Sequence, residues 1–408
     1  MSNITLTIDD MAYGGDGVGR CEGKAVFVPG TIPGETVQVQ LVDERRRYSR
    51  ARLVSVEEAS ELRVEPRCPY FGVCGGCHWQ HIAYQAQLEY KAETVRQQIA
   101  RLGGVQEPNV LPAIGLQPPW EYRNHVQLKI DADGALGYYA QGSHDVVAVE
   151  SCPILHPNLQ EIRDSLDLSL PGLKEIALRT GTRTDDRMVI LSGDRSLDPD
   201  VNVDLPVSCV LLIGDAEPVV LAGSGRLRER LLDREFSISA ASFFQVNSTQ
   251  AERLITLVRD VLALQSGERL LDAYCGAGIF ALSLAEDCSY VMAIESSPWA
   301  VGDAIRNRQD GENVEIVEGT VGEALSELSP KFDAIVLDPP RSGCSEFTVR
   351  QLARCGASRI AYVSCDPATL ARDIGRFGAL GYRLVSIQPV DMFPQTYHIE
   401  SVAHLVRS

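Results

Sequence analysis

Short apolar runs alternate with longer amphipathic stretches along the last 170 or so residues of the chain. The apolar runs cover residues 270–273, 291–294, 314–317, 334–337 and 360–363. The stretches between them have helical spacing, and a further helix is predicted over residues 248–264. This alternation predicts a doubly wound α/β sheet with helices on both faces. Ligands bind such sheets at the carboxyl ends of the strands, so the residues that follow each run are candidates for function.

The first 60 residues have a different pattern, with period-two alternation and no helical stretch. Strands are predicted at residues 5–8, 24–28 and 37–41, and the glycine-rich segment 14–19 supplies turns. No long amphipathic helix follows these glycines, so they do not form a dinucleotide-binding loop. The pattern predicts a small β-barrel.

Between these two regions the chain predicts a β-rich domain with one clear helix. The helix covers residues 84–102 and ends at Gly103, and strands follow from residue 122 to residue 139. Residues 160–235 alternate short strands with polar turns. We therefore expect a multi-domain α/β protein with a barrel at 1–60, a central α+β domain at 61–235 and a Rossmann-like catalytic domain at 236–408.

Composition narrows the class of protein. The chain has 408 residues and a net charge of −17, which argues against a protein coated in nucleic acid. A local basic patch is still possible, because five arginines fall within residues 45–52. No run approaches the roughly 18 apolar residues of a membrane helix, and no export signal precedes the first strand. We expect a cytoplasmic monomer without a membrane or an obligate protein partner.

The eleven cysteines are better explained by metal ligation or catalysis than by disulfides, given the cytoplasmic expectation. Cys68, Cys74 and Cys77 fall within ten residues, and Cys152 is followed by a proline. Four converging thiolates could hold either a [4Fe–4S] cluster or tetrahedral zinc, and the uneven spacing favours the cluster. His78 and His81 are rival ligands in the same segment.

A nucleotide-type cofactor site is predicted at the first two strands of the C-terminal sheet. Residues 272–278 read Asp-Ala-Tyr-Cys-Gly-Ala-Gly after the first strand, and Glu295 ends the second. An acid at that position can accept the ribose hydroxyls of an adenosine cofactor. The turn has two glycines instead of the three of the dinucleotide pattern, and it resembles the first motif of S-adenosylmethionine-dependent methyltransferases. We expect Tyr274 to lie along this cofactor.

Three further residues at strand ends suggest the chemistry. Asp338 begins an Asp-Pro-Pro loop, Cys365 follows the next apolar run, and Glu400 precedes the final strand. A thiolate that adds to carbon 6 of uracil makes carbon 5 nucleophilic, and a carboxylate can then remove the carbon-5 proton. Cys365 and Glu400 suit these roles. An inert buried cysteine, or an amine methylation that uses Asp338 and its prolines, is the competing explanation.

The chain resembles a known family over essentially its whole length. Residues 11–20 (Met-Ala-Tyr-Gly-Gly-Asp-Gly-Val-Gly-Arg) and 28–35 (Val-Pro-Gly-Thr-Ile-Pro-Gly-Glu) resemble a TRAM domain, an RNA-binding β-barrel. Together with the cysteine and strand-end motifs, they resemble the uracil-C5 RNA methyltransferases that carry a TRAM domain and an iron–sulfur cluster. The enzyme that modifies 23S ribosomal RNA typifies that family.

The resemblance implies a role for individual residues. It implies a cluster on Cys68, Cys74, Cys77 and Cys152, cofactor contacts from Gln245, Tyr274, Glu295 and Asp338, Cys365 as the nucleophile and Glu400 as the base. Thr320 stands where Asn or Asp is usual after the third strand, and Ile279 where a polar residue is expected. Ribosomal RNA is the expected substrate ahead of transfer RNA. A non-catalytic RNA-binding or iron–sulfur protein on the same fold is the alternative from another class.

Overall fold

The computed structural model describes residues 3–131, 134–167, 173–193, 202–203, 205–214, 216–328 and 330–408. Within them the α-helices are α1 (Tyr84–Leu102), α2 (Pro157–Ser165), α3 (Ser248–Leu262), α4 (Ile279–Ser283), α5 (Pro298–Asn307), α6 (Val321–Leu328), α7 (Glu346–Arg354) and α8 (Pro367–Gly378). The first sixteen strands are β1 (Ile4–Met11), β2 (Gly17–Cys21), β3 (Lys24–Val28), β4 (Thr36–Glu44), β5 (Tyr48–Glu58), β6 (His125–Ile130), β7 (Leu136–Tyr139), β8 (Val146–Ala148), β9 (Leu166–Asp167), β10 (Leu173–Thr180), β11 (Arg187–Gly193), β12 (Asn202–Val203), β13 (Ser208–Leu212), β14 (Val219–Ala222), β15 (Arg226–Leu231) and β16 (Arg234–Ser239). The others are β17 (Arg269–Ala273), β18 (Tyr290–Glu295), β19 (Val314–Glu318), β20 (Ala334–Leu337), β21 (Arg359–Ser364), β22 (Tyr382–Val390) and β23 (Glu400–Arg407).

The N-terminal strands close into a barrel in the order β1-β2-β3-β5-β4. Period-two alternation places Leu6, Ile8, Val26, Val37 and other apolar side chains in its interior, as that pattern requires. The predicted β-barrel is therefore confirmed. The arginine-rich segment forms the β4–β5 turn and the start of β5, where its side chains are largely exposed.

The C-terminal strands form a seven-stranded sheet in the order β19-β18-β17-β20-β21-β23-β22. All neighbours are parallel except β23, which runs antiparallel to both β21 and β22. Alternate strand residues face two separate cores, one covered by α1, α6, α7 and α8 and the other by α3 and α4. Burial on both faces explains why these strands read as continuous apolar runs. The predicted doubly wound sheet is confirmed.

The central strands form a second seven-stranded sheet, in the order β14-β13-β11-β10-β6-β7-β8. Helix α2 packs on this sheet and lies between β8 and β9 in the chain, so the expectation of only strands and turns from about residue 160 was incomplete. His156 accepts a hydrogen bond from the Asn158 N–H and Pro157 occupies the first turn, which are helix-start signals. Parts of the stretch 160–235 lie outside the described residues.

Helix α1 has the predicted bounds, but it packs into the core of the C-terminal sheet, where Ala92, Val95 and Ile99 are buried. Its Lys91 Nζ lies 2.5 Å from Asp391 Oδ1, and neither side chain is exposed to solvent. Tyr84 donates a hydrogen bond to the same carboxylate at 2.9 Å. Helix α1 therefore anchors the loop that leads from β22 to Glu400.

The hairpin β15–β16 also packs against the C-terminal domain. Arg234 forms an ion pair with Glu312 at 2.5 Å, and the Ser237 N–H donates to Asn307 Oδ1 at 2.7 Å. The predicted boundary between residues 235 and 236 falls inside β16. In the part of the chain that the structure describes, no helix is both long and apolar enough to cross a membrane.

Candidate active site and cysteine pocket

The candidate nucleophile and base lie at the same end of two neighbouring strands. Cys365 follows β21 and Glu400 begins β23, and the last recorded pair of this antiparallel ladder joins Ser364 to Ser401. Cys365 directly follows Ser364 and Glu400 directly precedes Ser401, so the two lie at the same end of the ladder. Two residues 35 positions apart in the sequence therefore come to the sheet edge where ligands bind such folds.

Burial and neighbouring charges act on both side chains. Burial, together with the carboxylates of Glu400 and Asp338, raises the pKa of the Cys365 thiol to about 11, and Arg341 opposes this rise. Glu400 is only 5% exposed and its Oε1 atom has no hydrogen-bond partner. Burial, and to a smaller extent Asp338, raises the pKa of Glu400 well above its usual range. A buried carboxyl group with a free oxygen is thus held near a thiol, and both have perturbed pKa values, as is common in active sites.

Asp338 comes to this edge from the neighbouring strand β20, whose last residue, Leu337, pairs with Tyr362 of β21. The Gln245 side-chain amide donates a hydrogen bond to Asp338 Oδ2 at 3.4 Å. Burial raises the pKa of Asp338 to about 7. Gln245 is itself held in place, because the Asn124 side chain donates to its backbone carbonyl at 3.0 Å.

The glycine turn after β17 and the acid that ends β18 are joined by a hydrogen bond. The Gly276 N–H donates to Glu295 Oε2 at 3.0 Å, while Glu295 Oε1 accepts from the backbone of Ser296 and Ser297. Gly276 has a φ of +54°, and a Cβ atom at that position would have no neighbour within 4 Å. Tyr274 is also left-handed, with a φ of 69°. The turn therefore borders open space that suits a cofactor.

Among the residues predicted to contact the cofactor, Thr320 has the least structural support for that role. It is exposed, and its hydroxyl donates to Glu323 in α6 at 2.5 Å. Ile279, which stands where a polar residue was expected, begins α4 and packs against the core.

The four predicted ligand cysteines line one cavity of about 300 Å³. Cys68, Cys74 and Cys77 reach it from the irregular segment before α1, and Cys152 from the segment before α2. Burial, together with the other three thiols, raises the pKa of Cys77 to about 12. Within the described ranges no three His, Cys, Asp or Glu side chains are grouped closely enough to hold a metal ion. His78 and His81 do not line the cavity.

Two residues near the strand edge were not predicted as site residues. Arg341 follows the Asp-Pro-Pro loop, and its charge opposes the rise in pKa of both Cys365 and Glu400. Tyr13, in the first turn of the barrel, donates a hydrogen bond to the Asp366 carboxylate. Arg341 could have been proposed from its position after a strand end. No local signal predicts a contact between residues 353 positions apart.

The sequence matches two family models. Residues 226–408 match the tRNA (uracil-5-)-methyltransferase model, and residues 2–54 match the TRAM domain model. An uncharacterized RNA methyltransferase of Thermosynechococcus vestitus is 35% identical over 443 aligned residues that cover 100% of this chain and 98% of that protein. A second uncharacterized RNA methyltransferase, from Streptomyces avermitilis, is 39% identical. The match covers 98% of this chain and 97% of that protein. This chain belongs to the TRAM-containing RNA (uracil-5-)-methyltransferase family.

A solved structure also matches this family member along its length. The Pyrococcus abyssi tRNA (uracil-54, C5)-methyltransferase, solved in complex with S-adenosyl-L-homocysteine, is 29% identical with a TM-score of 0.78. The match covers 98% of this chain and 99% of that one. The predicted family and fold class are confirmed. The residue roles, the domain boundaries and the iron–sulfur cluster stay predictions.

Proposed function

We propose that this RNA methyltransferase transfers a methyl group from S-adenosylmethionine to carbon 5 of an unpaired uridine through a covalent enzyme–RNA adduct. The observation that carries the proposal is the position of Cys365 and Glu400 at the same end of the neighbouring strands β21 and β23, where Glu400 and Asp338 both raise the pKa of the Cys365 thiol. Amine methylation would use the Asp-Pro-Pro loop without a nucleophile. It gives no account of a thiol and a carboxyl placed at the same edge.

The nucleophilic step begins with loss of the Cys365 proton. Since burial raises the pKa of this thiol, only a minor fraction is thiolate at neutral pH, and Arg341 increases that fraction. The thiolate adds to carbon 6 of the uracil, and the electron pair of the 5,6 double bond moves to carbon 5 and the carbon-4 oxygen as an enolate. Carbon 5 then takes the methyl group. The target base must leave its stack to reach the thiol.

The elimination step needs a general base, and Glu400 at the start of β23 is placed to act as one. Glu400 accepts the carbon-5 proton, the double bond re-forms, and the bond between sulfur and carbon 6 breaks. The raised pKa of Glu400 makes its carboxylate a stronger proton acceptor than an exposed one. S-adenosylmethionine becomes S-adenosyl-L-homocysteine when it gives up the methyl group, the thiolate returns to its starting state, and Glu400 passes the carbon-5 proton to solvent. The RNA has then exchanged hydrogen for methyl, and the step balances.

The cofactor would be held at the turn after β17. Glu295 would accept the ribose hydroxyls, Tyr274 would lie along the adenosine, and Gln245 and Asp338 would face its polar end near the nucleophile. When bound, S-adenosylmethionine supplies an electrophilic methyl group. The open space at Gly276 and the carboxylate of Glu295 fit such a group.

The cysteine cavity has more room than a single ion needs, which favours a [4Fe–4S] cluster. Four thiols contribute to the lining of a space of about 300 Å³, whereas no three of the described side chains are close enough together to hold a single ion. The proposed reaction is not a redox reaction, so the cluster would not take part in the chemistry. A cluster held by Cys68, Cys74, Cys77 and Cys152 would instead stabilise the fold or an RNA-binding surface.

The first test is mass spectrometry of the full chain mixed with S-adenosylmethionine and RNA that contains 5-fluorouridine. Fluorine at carbon 5 cannot leave as a proton, so the adduct on Cys365 should accumulate. Ribosomal and transfer RNA are tested separately, and the RNA that gives the adduct identifies the substrate class. No adduct with either RNA, despite bound cofactor, would contradict the covalent mechanism.

Ribosomal RNA was the expected substrate from sequence, and transfer RNA is a second candidate with its own support. The full-length structural match is to an enzyme named for tRNA, and the C-terminal family model carries the same description. An adduct confined to transfer RNA would make tRNA modification the function of this chain.

A further inference from the structure

We propose that the cleft between the barrel and the segments that carry His78, Gln141 and Tyr397 binds the base of a nucleotide that neighbours the target uridine in the RNA. The cleft has a volume of about 530 Å³, within the range of small-ligand sites. The proposal rests on the proposed RNA methylation and adds a second nucleotide site to it.

The barrel wall of the cleft is aromatic. Phe27 and Tyr48 meet edge to face with ring centroids 5.8 Å apart, and Tyr13 stands in the turn beside them. Tyr13 is 43% exposed and Tyr48 is 37% exposed, so two large rings on this wall are open to solvent. Proteins that bind single-stranded RNA stack bases on rings of this kind, and every base has a face suited to such stacking.

The opposite wall comes from the segments that carry the site chemistry. His78 directly follows the cluster cysteine Cys77, and Tyr397 precedes Glu400 by three residues. The rings of His78 and Tyr397 pack with centroids 4.6 Å apart. The two walls touch beside the cleft, since a Cβ atom on Gly15 would lie 2.8 Å from Tyr397 Cβ. The cleft is therefore present in the structure without RNA.

A hydrogen bond joins the cleft to the segment that carries the nucleophile. Tyr13 lines the cleft, and its hydroxyl donates a hydrogen bond to the carboxylate of Asp366, one residue after Cys365. A uridine at Cys365 therefore has its neighbour on the same strand within reach of the cleft. Unstacking one base from a helix also frees the adjacent base, which then gains from a second stacking surface.

The charges in the cleft suit one nucleotide. Arg50 is 58% exposed in its side chain and lies 3.7 Å from the Asp16 carboxylate. The guanidinium can contact a phosphate, and the carboxylate can accept a hydrogen bond from an amino or imino group of a base. A site of this kind is compatible with RNA binding by a chain of net charge −17, because it needs one arginine and aromatic faces instead of a broad basic surface.

The first experiment is ultraviolet cross-linking of the full chain to fluorescein-labelled 12-mers of uridine and of adenosine, without methyl donor, followed by peptide mapping. Nucleotide adducts are expected on the peptides that contain Tyr13, Phe27 or Tyr48. Adducts confined to other surfaces would overturn the proposal, as would no measurable binding of either 12-mer.

The second experiment measures the dissociation constant by fluorescence anisotropy. Tyr48→Leu should weaken binding by about fivefold to a hundredfold, the usual effect of losing one stacked base, while Tyr48→Phe should bind like the wild type. Phe347→Leu is the matched control, because Phe347 is a 43% exposed ring on α7 outside the cleft. Equal affinities for Tyr48→Leu and Phe347→Leu, with both folded by circular dichroism, would contradict the proposal.

The salt dependence provides an independent readout. Arg50→Gln should reduce the slope of log K against log salt by about 0.7, the value for one phosphate contact on a single strand. Arg52→Gln is the control, since Arg52 lies on the same strand but donates to Gln40 at 2.9 Å and does not line the cleft. Equal changes in both variants would show general basic attraction and refute the site.

These measurements need no catalysis, so the two proposals can fail separately. Weaker RNA binding by Tyr48→Leu without an adduct on Cys365 would support the nucleotide site in the cleft and refute the covalent mechanism. An adduct on Cys365 with unchanged RNA binding by Tyr48→Leu would refute the nucleotide site alone.

Discussion

The thiol of Cys365 and the four thiols that line the cysteine cavity are all partly buried, yet their surroundings favour different chemistry. Carboxylates and an arginine surround Cys365, so a proton can be exchanged among neighbours. Around Cys77 the nearby charges are those of other thiols. Thiolates that repel one another are stabilised by a bound cation or cluster, whereas a thiol beside a carboxyl is suited to acid–base catalysis. Burial of cysteine therefore does not define its role, but the charges around it do.

Replacement of the nucleophile should have the largest effect. Cys365→Ala removes the only atom proposed to form the covalent bond, so turnover should fall by at least about a thousandfold. Steady-state methylation of the RNA identified by trapping measures the loss. Cys355→Ala is the matched control, because Cys355 is a 2% exposed thiol that follows α7 and donates to the Gln351 carbonyl, and it has no proposed role. Full activity in Cys365→Ala would support amine methylation by the Asp-Pro-Pro loop.

Replacement of the base should give a different kind of loss. Glu400→Gln should lower turnover by about a hundredfold to ten-thousandfold, but the covalent adduct should still form and then persist on unmodified RNA. Gel electrophoresis of the denatured mixture, with radiolabelled RNA, detects the persistent adduct. A variant that loses turnover and shows no adduct would mean that Glu400 acts before the covalent step.

The pH dependence sharpens the same contrast. The pKa of Cys365 is raised to about 11, so the thiolate fraction grows as pH rises. The rate of adduct formation with 5-fluorouridine RNA should therefore rise about tenfold per pH unit between pH 6 and 8. A rate that is flat across this range would mean that bound RNA and cofactor lower the thiol pKa to about 6 or below, because an ordinary thiol with a pKa of about 8.5 would still give a rising rate.

The cysteine pocket should respond through stability instead of chemistry. Cys77→Ser should reduce the iron content of anaerobically purified protein and lower its melting temperature by several degrees, since a ligand of the cluster is lost. Elemental analysis distinguishes the proposals directly: about four irons per chain fits a cluster, and one zinc fits tetrahedral zinc. Wild-type protein that holds neither metal would contradict both. Cys209→Ser, in a buried strand of the same central domain, is the control for serine in place of a buried thiol.

Much of this architecture follows from local pattern, and the rest depends on topology. The bounds of α1 and the ends of β20 and β21 could be predicted because helical spacing and apolar runs are properties of neighbouring residues. The pairing of Cys365 with Glu400 could not, because it requires β23 to insert between β21 and β22. The docking of α1 on the catalytic sheet and the contact of Tyr13 with Asp366 also join segments about 300 residues or more apart.

The smallest predicted effect, and the only gain, concerns Asp338. Its pKa rises from the usual value near 3.8 to about 7 in the folded chain, so the fold prefers the protonated carboxyl. That preference supports stability below pH 4 and is lost as the pH rises through 7, where the buried charge must form. Asp338→Asn keeps the shape without the charge, and it should stabilise the protein without ligands at pH 8 by on the order of 2 kcal/mol, falling to none near pH 4. Denaturant unfolding at both pH values measures the difference. Equal stability of Asp338→Asn and the wild type at pH 8 would mean that water or Gln245 already compensates the charge of Asp338. The methylation rate of the same variant would then measure what the Asp338 carboxyl contributes to the bound substrates.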